Sequence, residues 1–122
     1  MKVTCAIAAI LFALFAYWQL NDASQYHTAD WGVVTWILTY ALTAVTSLVT
    51  IFRPFSRGVY LGAALVALAI AVYRFSAIQW AGKILYNEDN PAGNESGGLV
   101  IVSLWMGFLA WKASSRPVAS PA

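Results

Sequence analysis

Four long apolar stretches alternate with short polar ones along the chain, at about 2–20, 31–52, 58–80 and 96–112. A helix needs roughly 20 residues to cross a ~30 Å hydrocarbon core, with a range of about 17–25. The middle two stretches meet that length outright. The fourth is short as an apolar run, and Asn94, Glu95 and Ser96 can begin its helix before the hydrocarbon is reached, as capping residues do. Unbroken apolar runs of this length exclude the alternating pattern of a membrane barrel. The expected fold is therefore all-α, an integral membrane four-helix bundle within residues 1–113.

The polar breaks fix the edges. In Tyr17–Trp31, the rings of Tyr17, Trp18, Tyr26 and Trp31 bracket Gln19, Asn21, Asp22, His27 and Asp30, the mixture expected at headgroup depth. Arg53-Pro54-Phe55-Ser56-Arg57 is a tight turn in which Pro54 ends a helix, so the second and third helices are expected to be antiparallel neighbours. Ala81–Gly97 contains the turn-rich run NEDNPAGNESG and reads as a loop. Residues 114–122, SSRPVASPA, read as a disordered cytoplasmic tail.

Composition agrees with lipid as the solvent. Of 122 residues, 61% are hydrophobic and only 10% charged, more apolar surface than a soluble domain of this size can hide. The few charges are sorted by loop. Lys2, Arg53, Arg57, Lys112 and Arg116 share one side of a four-helix topology, whereas Asp22, Asp30, Glu88, Asp89 and Glu95 share the other, with Lys83 the single basic residue in the acidic loops. The positive-inside rule then places both termini in the cytoplasm; the expected location is a bacterial inner (plasma) membrane. Met1-Lys2 followed by Val3–Ala16 resembles a secretory signal, but a cut after Ala16 would put Leu14 where a small residue is required. An uncleaved first membrane helix is expected. The net charge of +2 includes no basic cluster, so nucleic acid is not an expected partner.

Candidate packing faces follow from small residues, which let membrane helices approach closely. Gly58 and Gly62 form a GxxxG at the start of the third helix, Ala63, Ala67 and Ala71 continue a small stripe, and Ala9 and Ala13 do likewise in the first. These faces serve packing within the bundle or contact with other membrane subunits or a second copy. Thr35, Thr39, Thr43 and Ser47 recur every fourth residue in the second helix. They form either a polar track or, as expected here, hydroxyls bonded to carbonyls one turn earlier. A faint repeat relates the two halves: Trp18-Gln19 precedes Asn21-Asp22 much as Gln79-Trp80 precedes Asn87-Glu88-Asp89.

Chemistry is sparse. Arg74 is the one charge well inside a predicted span, about 24 Å along its helix from Gly58 at ~1.5 Å per residue. It can snorkel to the interface or pair with Asp22, Asp30 or an acid of the second loop. His27 beside Asp22 or Asp30 could act as a base, but no nucleophile motif accompanies it, so no enzyme and no catalytic residue is expected. One cysteine and one histidine give no transition-metal set, and the acids lack EF-hand spacing, so neither metal nor cofactor is expected.

Two stretches carry a family resemblance. FALFAYWQLNDASQYHTADWGVV, Phe12–Val34, and NESGGLVIVSLW, Asn94–Trp105, resemble the transmembrane protein 220 family, small helical membrane proteins without an established activity. The resemblance implies the same four-helix hairpin order and marks Gln19, Asn21, Asp22, Glu95, Gly98, Leu99 and Trp105 as motif positions. Where the family often continues Asn-Asp with Pro-Asp, this chain has Ala23-Ser24. Gln19, Asn21, Asp22 and Glu95, with Arg74 as counter-charge, are the expected polar cluster closing the loop end of the bundle. The expected role is that of a non-enzymatic accessory or interaction subunit. The alternative is a small carrier or receptor that binds a cation or polar ligand at the acidic end.

Overall fold

The computed structural model resolves the apolar stretches into four helices: α1 Lys2–Asp22, α2 Asp30–Phe52, α3 Arg57–Phe75 and α4 Ala92–Ser114. It describes residues 1–22, 30–76, 78, 80 and 92–114, and the side chains of 1–18, 34–76, 78, 80 and 95–113. The expectations for residues 115–122, for the acids of the second loop and for His27 lie outside the described residues. Val34–Phe52, Arg57–Phe75 and Glu95–Ala113 are each long and apolar enough to cross a membrane, and α1 carries a shorter apolar run, Lys2–Trp18. The protein is an all-α membrane bundle.

Each helix buries one stripe. Cys5, Ala8 and Phe12 face inward on α1, Tyr40, Thr43, Ala44, Ser47 and Thr50 on α2, Tyr60, Ala64, Ala67 and Ala71 on α3, and Ser96, Leu99, Val102, Met106, Leu109 and Ala110 on α4. Steps of three and four residues keep such positions on one side of a helix. Most of the remaining large apolar side chains point outward, as lipid-facing surface must, while Phe15, Trp36, Ile51, Trp105 and Phe108 are partly buried against the core.

Packing is pairwise. Among the described residues α1 packs on α2, α3 packs on α4, and α2 meets α4 along a thin seam. Different contacts hold the two pairs together. Between α1 and α2 the join is aromatic: Phe12 stacks on Tyr40 at 6.5 Å and Phe15 meets Tyr40 edge-on at 5.6 Å. Between α3 and α4 it is close approach of small residues. Ser96 Oγ donates to the Ala71 carbonyl at 3.0 Å, and Ser103 Oγ to the Ala64 carbonyl at 2.8 Å. Both partners step by seven residues in opposite senses, so one antiparallel register satisfies both bonds.

Several expectations change. The second and third helices do not pack along their lengths: they meet at the turn, while α2 lies against α1 and α4. α2 stops at Phe52 because Pro54 has no N–H to donate and disfavours helical geometry at Arg53. Buried Tyr60 then pins the turn, its hydroxyl accepting the Phe55 N–H at 2.9 Å and sharing a 2.7 Å hydrogen bond with Thr50 Oγ1. α3 ends at Phe75, not Trp80, since Ser76 caps it: its N–H bonds the Val72 carbonyl and its hydroxyl the Tyr73 carbonyl. α4 starts at Ala92, so the end of the expected loop is helical. The buried small stripe of α3 runs through Ala64 while Ala63 is exposed, and Ala8, not Ala9 and Ala13, is the buried alanine of α1.

Candidate functional site

α3 and α4 bring two charges together at the end of the bundle away from the termini. Arg74 lies in the last turn of α3 and Glu95 in the first turn of α4. A cation suits the carbonyl end of one helix and an anion the N–H end of the next, so both helix dipoles favour this placement. Arg74 Nε donates to Glu95 Oε2 at 2.5 Å, with the side chains 29% and 14% exposed. Immediately beneath, Ser96 bonds the Ala71 carbonyl and fixes the rotation of α4 that aims Glu95 at α3.

Of the expected polar cluster, the structure joins Arg74 and Glu95. Gln19, Asn21 and Asp22 fall in the last turns of α1, whose end lies at the same side of the bundle, and their side chains lie outside the described residues. Among the described residues, nothing packs on Gly58 or Gly62. Both are exposed, nothing approaches the Cβ position of Gly62 within 4 Å, and only Ser56 Oγ, at 4.0 Å, approaches that of Gly58.

The threonine–serine row of α2 is not a polar channel. Thr39, Thr43 and Ser47 donate to the carbonyls of Thr35, Thr39 and Thr43 at 2.7–2.8 Å, as expected for hydroxyls in an apolar helix. Ser47, fully buried, has a second task that the sequence did not reveal: its Oγ accepts Trp105 Nε1–H from α4 at 2.9 Å. Seven residues away on both helices, Tyr40 lies against the backbone of Gly98, so close that a Cβ there would sit 1.8 Å from the tyrosine oxygen. Tyr40–Gly98 and Ser47–Trp105 share one parallel register and make the seam between the two hairpins.

Glu95, Gly98, Leu99 and Trp105, marked by the family resemblance, thus each have a contact that explains them. Glu95 ties α4 to α3, Gly98 and Trp105 tie α4 to α2, and Leu99 is buried among them. Residues 11–111 match the family model for Transmembrane family 220, helix. The chain belongs to this family. No solved structure matches it. The family is one of small transmembrane proteins, and the match covers every described helix, from the second half of α1 to nearly the end of α4. Among the described residues, no group of three or more His, Cys, Asp or Glu side chains could hold a metal.

Proposed function

We propose that this member of Transmembrane family 220 is a non-enzymatic accessory subunit that docks another membrane helix on the outer face of α3. The observation that carries this reading is the placement of its GxxxG. Gly58 and Gly62 are about half a turn around α3 from Tyr60, Ala64, Ala67 and Ala71, the stripe that faces α4. Glycines at this spacing open a groove into which a second helix backbone fits, and here no described residue of the chain fills that groove on the lipid side. A GxxxG used for internal packing would face α4. This one faces away.

The carrier or receptor reading draws less support. The one acid with a described side chain is already compensated by Arg74, so a bare cation there would compete with an existing partner. The α2 hydroxyls are bonded to their own helix.

By the positive-inside rule, both termini and the Arg53–Arg57 turn belong on the cytoplasmic side of the membrane. Affinity purification in a mild detergent, with the mass of the intact complex measured, tests the subunit reading. A partner at fixed ratio, lost in Gly62→Ile while the fold survives, supports it. A clean monomer for the unaltered chain overturns it.

A further inference from the structure

The Arg74–Glu95 pair is joined edge-on through one bond, Nε to Oε2. A guanidinium offers five N–H donors and a carboxylate two acceptor oxygens, and this contact uses one of each. Among the described residues nothing else bonds the Nη groups of Arg74 or Oε1 of Glu95. The pair is nevertheless held in place. Ser96 anchors Glu95's turn to α3, and both side chains are partly covered.

Depth supplies the second half of the argument. Arg57 and Arg74 are 17 positions apart on α3, about 25 Å at ~1.5 Å per residue, against a hydrocarbon core of ~30 Å. With Arg57 at one boundary, the long stem of Arg74 carries its guanidinium to the phosphate level at the other. Exposed Tyr73 and the edge-on pair Phe75–Trp80, at 5.1 Å, mark the same level with amphipathic and aromatic rings.

We infer that the pair binds the headgroup of an ethanolamine phospholipid, whose phosphate accepts from the Nη groups of Arg74 and whose ammonium donates to Oε1 of Glu95. The pair is neutral as a unit and so is this headgroup, so every charge finds an opposite one at a boundary of low dielectric. A glycerol phospholipid brings a net negative charge and leaves Glu95 facing an anion. A choline headgroup is neutral but has no N–H for Oε1. The inference does not depend on the docking of a partner at Gly62, which lies toward the other end of α3.

The test is native mass spectrometry of the full-length protein in mild detergent, titrated with ethanolamine, choline and glycerol phospholipids of identical acyl chains. The ethanolamine lipid should be retained roughly tenfold over the other two, the discrimination of about one charge-assisted hydrogen bond. Glu95→Gln should bring ethanolamine and choline close to parity, whereas Lys112→Gln at the opposite end should leave the preference intact. Equal retention of all three lipids by the unaltered protein overturns the inference, and that comparison needs no variant to fold. So does a preference that survives Glu95→Gln. Soluble phosphoethanolamine should compete only in large excess; if it binds as tightly as the lipid, the site takes a free phosphate ester and the lipid assignment fails.

Discussion

Tyr40 of α2 and Gly98 of α4 meet so closely that no side chain fits between them. The tyrosine is buried and its ring is held by Phe12 and Phe15 of α1, so it cannot swing aside without disturbing the α1–α2 pair. One glycine therefore sets how near the two hairpins lie. Gly98→Ala places a methyl 1.8 Å from Tyr40 Oη and 3.0 Å from Cζ. It should destabilise the protein by about 1–3 kcal/mol, the usual range for overpacking. Removing the hydroxyl as well, in Tyr40→Phe/Gly98→Ala, should restore part of the loss, read by thermal unfolding in detergent.

Along the same seam, Trp105 donates to Ser47. Interhelical hydrogen bonds in membranes average about 0.6 kcal/mol, because each group finds another partner when the helices part. A double-mutant cycle with Ser47→Ala and Trp105→Phe should return a coupling of about that size. A coupling near zero would mean that the seam is held by shape alone.

At the loop end, Glu95→Gln removes one charge and leaves Arg74 without its counter-ion. The expected loss is about 1.5–3 kcal/mol, that of a hydrogen bond to a charged group. Arg74→Gln should cost a similar amount, and the double variant less than the sum, because neither charge is then stranded. Additive losses in thermal unfolding would show that the two residues act separately.

The sorting of charges predicts orientation. A reporter that is active only outside the cytoplasm should be silent when fused after Lys112 and active when fused within the second loop. The reverse pattern would invert the topology and contradict the positive-inside assignment.

Much of this architecture was legible in the chain, and the reasons are specific. Apolar length alone gives four helices, and the isolation of Arg74 in an apolar helix left two readings, snorkelling to the interface or pairing with an acid, with Glu95 among the acids in reach. The end of α3 was not legible, because Ile78 and Trp80 continue the apolar pattern past Phe75, and a serine cap is no different in sequence from any other serine. Helix pairing was not legible either. A short turn suggests that the helices it joins will pack, yet here Ser96 and Ser103 on α4 match Ala71 and Ala64 on α3, and the aromatic rings of α1 match Tyr40 on α2. Such matches appear only once a register is known. The glycines of α3 misled for a related reason: GxxxG shows that a helix can approach, without saying which side its own chain uses.

The central claim is that the Gly58–Gly62 face of α3 is occupied in the membrane by another helix. The most direct measurement is photo-crosslinking in native membranes, with a photoreactive residue placed in turn at position 66 and at position 111. Val66 is an exposed position one turn along α3 from Gly62, and Trp111 an exposed position on α4. Position 66 should give one discrete adduct of fixed mass that is absent from position 111 and is lost when Gly58→Ile is added. Labelling of lipid alone at position 66, with no protein adduct, would contradict the account.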